Sequence, residues 1–233
     1  MRDWQTAVRV HLGAVPYTPP DNFPELIATM KKAAAALRDA EIECMLGGGL
    51  AAWARGGPPT EHDVDFYVRE ADAEAALSAL VDAGLVAERP PEGWLLKAWD
   101  GDVMVDLIFN PSGGPIGDEH FERVEATEVM AQPLLVAALD DVISTKLLSI
   151  SEQEPNFQNV LELSRSLREQ IDWDVVRMRT AESPFAKAFF TLVEELGIVE
   201  PAQRTVREAD EWQRSGGTGR LPEQSSARRL RRA

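Results

Sequence analysis

The strongest constraint on the fold is a strand, a glycine-rich turn, a short helix and a second strand in direct succession. Residues 42–46 form a short apolar run bounded by glycine, which predicts a β-strand, and three glycines follow at 47–49. Residues 50–55 are typical of a short helix, and residues 63–68 begin with the polar–apolar alternation of a half-buried strand. This order predicts a mixed α/β unit in which the glycines lie between a strand and a helix.

Further helices and strands extend this unit. Asp21 is expected to cap a helix that runs to about residue 40, and residues 71–83 predict a second helix. Two strand-like runs, 94–99 and 102–109, are joined by Asp100-Gly101, and this dipeptide is a strong hairpin signal.

The pattern becomes helical in the second half of the chain. Short strands or extended chain are expected over 127–137. Helices are expected at about 139–151, 157–169, 172–180 and 184–197. The expected fold class is therefore α+β, with a mixed β-sheet and flanking helices followed by a C-terminal helical bundle. The expected divisions are an N-terminal extension (1–20), an α/β domain (21–137), a C-terminal helical domain (138–200) and a basic, flexible tail (201–233).

Three aspartates carry the candidate chemistry. Asp63 and Asp65 are two residues apart on a predicted strand, so their side chains share one face of the sheet. Asp106 interrupts the apolar run 103–109, where a charge is costly unless it is paired or coordinated. If the two strands are neighbours, the three carboxylates converge on one point, which suits divalent cations such as Mg²⁺ or Mn²⁺ and phosphoryl or nucleotidyl transfer.

The glycines supply a second part of the candidate site. Glycines between a strand and a helix expose backbone N–H groups beside a helix N-terminus, which favours anions such as a triphosphate. Each feature also has a purely structural interpretation. The glycines can form an ordinary turn, the Asp63/Asp65 pair can lie on a solvated sheet face, and Asp106 can pair with an arginine.

Taken together, these features resemble a known superfamily. Leu46-Gly47-Gly48-Gly49, thirteen further residues, Asp63-Val64-Asp65-Phe66 and a later Asp106 resemble the DNA polymerase beta-type nucleotidyltransferases. Within that superfamily the chain looks like the small bacterial members, namely aminoglycoside-type nucleotidyltransferases and AbiEii-like toxin nucleotidyltransferases. The resemblance covers about residues 23–198 and implies a nucleotidyltransferase-type sheet.

The resemblance also implies roles for individual residues. Asp63 and Asp65 would bind divalent metal, and Asp106 would bind a second metal or act as general base for an acceptor hydroxyl. Gly48 and Gly49 would hold the phosphates of an NTP such as ATP. Lys146, on the first C-terminal helix, matches the basic residue that faces the triphosphate in this superfamily. A lysine at the edge of an apolar stripe can instead extend its amine to solvent.

The charge distribution along the chain indicates which acceptor molecules are favoured. The net charge is −15, and the Arg-rich residues 201–233 carry +4, so residues 1–200 carry −19. Such an acidic body disfavours non-specific nucleic-acid binding and attracts a cationic small molecule. Because the tail is basic, an RNA acceptor such as a tRNA end is also compatible with the sequence, as in toxin-type members with an antitoxin partner. The alternative is a non-catalytic nucleotide-binding or toxin–antitoxin partner module on the same fold.

Composition indicates the compartment. Hydrophobic residues make up 44% of the chain and charged residues 27%, as in ordinary globular proteins. No apolar run approaches the roughly 18 residues of a membrane span, and no signal peptide is evident. The single cysteine, Cys44, excludes an internal disulfide. The expected location is the cytoplasm, with no membrane partner.

Overall fold

The computed structural model describes residues 19–60 and 63–201. Its helices are α1 (Phe23–Asp39), α2 (Gly48–Ala54), α3 (Ala73–Asp82), α4 (Asp118–Phe121), α5 (Leu139–Ser149), α6 (Gln158–Leu167), α7 (Trp173–Arg179) and α8 (Pro184–Glu195). Its strands are β1 (Cys44–Leu46), β2 (Asp63–Val68), β3 (Val86–Glu88), β4 (Leu95–Asp100), β5 (Val103–Ile108), β6 (Glu125–Val129) and β7 (Gln132–Val136). Short 3-10 helices cover Glu70–Asp72 and Arg168–Gln170.

The seven strands form one mixed sheet in the order β3-β4-β5-β2-β1-β7-β6. The pairs β2–β5 and β1–β7 are parallel, and the other neighbouring pairs are antiparallel. The central position of β2 matters for function, because it pairs with β5 on one side and with β1, which leads into the glycine turn, on the other. The predicted α+β class with a mixed sheet and flanking helices is confirmed.

The two faces of β2 have different surroundings. Val64, Phe66 and Val68 are buried in one hydrophobic cluster together with side chains of α1 and α3. Residues two apart share a face, so Asp63, Asp65 and Tyr67 lie on the opposite face. This separation of apolar and acidic side chains positions the candidate site on one side of the sheet.

The hairpin between β4 and β5 differs from its prediction. The turn consists of Gly101 and Asp102 rather than Asp100-Gly101, and Asp100 pairs with Val103 at the end of the ladder. Asp100 stays in the strand because its carboxylate accepts hydrogen bonds from Lys32 (2.7 Å) and Thr29 (3.1 Å) of α1. Gly101 takes the left-handed conformation (φ 63°) that the turn requires.

Other boundaries shift by a few residues. The residue before α1 is Asn22, not Asp21, since Asp21 lies within the preceding turn. The three-residue strand β3 and the short helix α4 were not predicted, because both are too short to show a periodic pattern. Residues 1–18 and 202–233, which include most of the predicted N-terminal extension and basic tail, lie outside the described residues.

The helices α5–α8 share a second hydrophobic cluster. Its members include Ile143, Leu147, Leu163, Val176 and Phe189. Local caps help to start two of these helices. The Asp172 carboxylate accepts hydrogen bonds from two backbone amides of α7, and the Ser183 hydroxyl accepts one from Ala186 in α8. No helix in the described part of the chain is both long enough and apolar enough to cross a membrane.

Three arginines hold the start of α5 in place. Asp141, in its first turn, is 6% exposed and pairs with Arg123 (2.9 Å) and Arg179. Arg55, which follows α2, donates to the backbone carbonyls of Val136 (3.1 Å) and Ala137 (2.9 Å) and pairs with Glu125. The Ala137 amide in turn donates to the carbonyl of Leu46 (2.9 Å). The end of β7, the start of α5 and the end of β1 are thus held together.

Candidate active site

The three predicted aspartates converge on one point. The parallel register of β2 and β5 sets Asp65 directly beside Asp106, with Asp63 two residues away on the same face. Each of the three offers a carboxylate oxygen, and these oxygens all lie within 4.8 Å of one another. Oxygen donors at this spacing and with this charge fit a divalent cation of the Mg²⁺ or Mn²⁺ type.

Burial makes this cluster of acids electrostatically unfavourable. Asp65 is 9% exposed, and burial is the main cause that raises its pKa from 3.8 to about 8. The neighbouring Asp63 raises the pKa of Asp65 further, while the ammonium of Lys146 lowers it. Burial likewise raises the pKa of Asp106, against the lowering effect of Lys97. Three ionised carboxylates are therefore unfavourable together in this site, and either a proton or a bound cation would relieve their repulsion.

Close packing explains the three glycines. A Cβ atom at Gly48 would lie 1.6 Å from Oδ2 of Asp65, and Gly48 also has a left-handed backbone (φ 50°). A Cβ at Gly47 would lie 2.7 Å from the ring of Tyr67, and one at Gly49 would lie 2.7 Å from the Thr60 side chain. The glycines let the turn pack directly against the acid cluster. A phosphate-binding role for Gly48 and Gly49 stays a prediction.

A cavity of about 490 Å³ opens over the acid cluster. One part of its wall is formed by Gly48 and the three aspartates, and another by Thr145, Lys146 and Ser149 of α5. Trp94, Asn110 and Ser112 complete a further part of the wall. Lys146 thus lines the same cavity as the acids, and its phosphate-binding role stays a prediction.

Trp94 lies in the cavity wall and not in the hydrophobic core. It is 38% exposed and lines the cavity, and its backbone carbonyl accepts hydrogen bonds from Phe109 and Asn110 at 3.1 Å each. These bonds hold the residue just before β4 against the chain that leaves β5. An exposed indole in a cavity wall offers a flat apolar surface for a ring of a bound molecule.

Tyr67 forms the buried floor beside the glycines. It is 3% exposed, and burial raises the pKa of its hydroxyl, with the Asp65 carboxylate adding to the shift. Hydrogen bonds with the Gly48 backbone and the Thr145 side chain act in the opposite direction on this pKa. Tyr67 therefore connects the glycine turn with α5 and stays protonated at neutral pH.

Sequence reasoning missed Lys97 of β4. Its Nζ lies 2.8 Å from Oδ1 of Asp106 and 3.0 Å from Sδ of Met104. The sequence suggested an arginine as an alternative partner for Asp106, and the structure gives a lysine instead. The correct register of the β4–β5 hairpin would have predicted this pair. A turn at Asp100-Gly101 would have set Lys97 opposite Met104, whereas the observed turn sets it opposite Asp106.

The comparisons with known proteins agree with this architecture. No protein-family model matches the sequence, and no curated protein matches it. A crystal structure of ANT(2'')-Ia in complex with adenylyl-2''-tobramycin is similar, with a TM-score of 0.53 and 16% identity. The similar region covers 70% of this chain and 98% of the ANT(2'')-Ia chain. The solution structure of the antibiotic-resistance factor ANT(2'')-Ia gives a TM-score of 0.52 and 14% identity, over 73% and 96% of the two chains.

The chain has the fold of ANT(2'')-Ia. At 14–16% identity the likeness establishes the architecture and not the substrate. The similarity spans nearly the whole of the ANT(2'')-Ia chain, so the expected nucleotidyltransferase-type sheet is confirmed.

Proposed function

We propose that the protein is a metal-dependent nucleotidyltransferase that moves an NMP from an NTP to a hydroxyl group of a small molecule and releases pyrophosphate. The observation that carries this proposal is the convergence of Asp63, Asp65 and Asp106 within 4.8 Å at the wall of a cavity that Lys146 also lines. The fold shared with ANT(2'')-Ia supports it.

The carboxylates of Asp63, Asp65 and Asp106 would hold the divalent metal. When bound, the metal supplies charge stabilisation for the attacking and leaving oxygens. Lys146 provides a positive charge in the same cavity, which suits the phosphates of the NTP. Asp106 is the candidate base. It takes the proton of the acceptor hydroxyl as the new oxygen–phosphorus bond forms and the bond to pyrophosphate breaks.

The acceptor is proposed to be a small, hydroxyl-bearing cation. Asn110 and Ser112 line the cavity and can bind hydroxyl or amino groups, while Trp94 offers an apolar face to a sugar or other ring. The net charge of −15 favours the approach of a cationic molecule. ANT(2'')-Ia has been seen with adenylyl-2''-tobramycin, an adduct of this chemical type.

The test offers the protein each α-³²P-labelled NTP with Mg²⁺ and, in separate reactions, an aminoglycoside panel, a lincosamide, tRNA and cell extract. We expect label on a small cationic acceptor and its loss in Asp63→Asn and Asp106→Asn. Glu182→Gln, which removes an exposed charge in a loop, serves as the matched control.

The outcomes separate the alternatives. Label on tRNA alone would identify RNA as the acceptor and favour a function like that of the toxin-type members, which have an antitoxin partner. Metal-dependent NTP binding without any labelled product would indicate a non-catalytic binding module. Undiminished transfer in both aspartate variants would refute the role of the acid cluster.

A further inference from the structure

Lys97 is built into the acid cluster from the strand beyond Asp106. The register of β4 and β5 places Lys97 directly opposite Asp106, and its side chain is only 19% exposed. The Asp106 side chain is 8% exposed, so the pair is largely withdrawn from solvent. A buried ammonium is costly unless it is paired, and the contact with Asp106 compensates it.

The contact restricts what Asp106 can do. The Lys97 ammonium engages Oδ1 of Asp106 at 2.8 Å, and the adjacent Met104 sulfur confines the ammonium on another side. A carboxylate held through one oxygen cannot rotate freely and presents its remaining lone pairs in a fixed direction. The positive charge also opposes any cation that approaches the same carboxylate.

We propose that Lys97 is a positioning residue that fixes the Asp106 carboxylate for transfer at the expense of cation affinity. The inference rests on the proposed nucleotidyl transfer. It predicts two opposite effects when the charge is removed. Cation binding becomes tighter because a repulsive charge is lost, while turnover slows because Asp106 is no longer held in one orientation.

An ion pair in the helical half of the chain provides a matched control. Arg177 of α7 pairs with Glu194 of α8 at 2.6 Å, and its side chain is 18% exposed, close to the 19% of Lys97. Arg177→Met removes one positive charge from a largely buried pair, as Lys97→Met does, and neither Arg177 nor Glu194 is among the residues that line the cavity. Methionine keeps the apolar stem of the side chain in both variants.

The experiment measures Mn²⁺ binding by electron paramagnetic resonance without nucleotide, together with kcat, KM for the NTP and thermal melting. For Lys97→Met we expect Mn²⁺ binding that is about threefold tighter or more, from the loss of a nearby like charge. We expect kcat to fall by at least about tenfold, with KM for the NTP within about twofold of wild type. Lys97→Arg should recover most of kcat, and Arg177→Met should change neither the Mn²⁺ affinity nor kcat.

Other results would overturn the inference. A kcat of Lys97→Met within about twofold of wild type would remove the positioning role. A joint loss of Mn²⁺ affinity, kcat and melting temperature in Lys97→Met and in Lys97→Gln would make Lys97 a structural residue only. If the wild-type protein transfers no nucleotide, the proposed function fails. The Mn²⁺ titration then decides alone, and an unchanged affinity in Lys97→Met refutes the inference.

Discussion

Replacing Asp65 by asparagine should stabilise the metal-free protein. Asp65 is 9% exposed, and burial raises its pKa from 3.8 to about 8. The native state therefore binds a proton more tightly than the unfolded chain, so folding stability falls as the pH rises from about 4 to about 8 and is level above that range. Asparagine is neutral at every pH and avoids this loss.

The size of the effect follows from the shift. At about pH 7.5, a pKa displaced this far corresponds to at most about 5 kcal/mol of lost stability. Even about 2 kcal/mol of it would raise the melting temperature by about 4–8 °C for a chain of this size. The gain should grow with pH between about 4 and 8, because only the wild type titrates.

The assay is thermal unfolding in chelator over this pH range, for wild type, Asp65→Asn and the exposed-charge control Glu182→Gln. Added Mg²⁺ should raise the melting temperature of the wild type by mass action and leave Asp65→Asn almost unchanged. An Asp65→Asn variant that melts below wild type near pH 7.5, or a difference that does not grow with pH, would refute the reasoning.

Three further predictions address other contacts. Gly48→Ala should lose at least about 2 kcal/mol of stability in chemical denaturation, because the new Cβ would lie 1.6 Å from the Asp65 carboxylate and the backbone is left-handed. Gly84→Ala is the control for backbone conformation alone, because Gly84 is also left-handed but has open space around it. Asp141→Asn should lose about 1–3 kcal/mol, because two partly exposed arginines lose the charge of their buried partner, and an unchanged denaturation midpoint would contradict this. Lys146→Met should lower kcat/KM by about 10- to 100-fold in a transfer assay if a phosphate contact is lost; a normal value would leave Lys146 as a wall residue.

The central parts of the candidate site could be predicted from the sequence. Asp63 and Asp65 alternate with apolar residues, and Asp106 interrupts an apolar run. The local pattern was therefore enough to predict the two strands and their acidic face. The glycine turn was equally evident. Its physical reason was not, because the approach of Gly48 to Asp65 depends on the pairing of β1 with β2.

The features that the sequence did not predict depend on contacts between residues far apart in the chain. The hairpin turn lies one residue later than predicted because Asp100 is held by Lys32 and Thr29, which are about 70 residues away in sequence. That shift changes every cross-strand pair and brings Lys97 to Asp106. No local pattern assigns Trp94 to the site. Its position in the cavity wall depends on the chain that leaves β5.

The hydrogen bonds of Arg55 connect the elements that carry two parts of the cavity wall. Arg55 holds the carbonyls of Val136 and Ala137, and Ala137 is bonded to Leu46, one residue before the glycine turn. The segment that leads into α5, and so to Lys146, is therefore tied through residue 137 to the strand that ends at the glycine turn. Any change in cavity width that parts residue 137 from Leu46 must first break these bonds, whereas Trp94 and Asn110 lie in another part of the cavity wall.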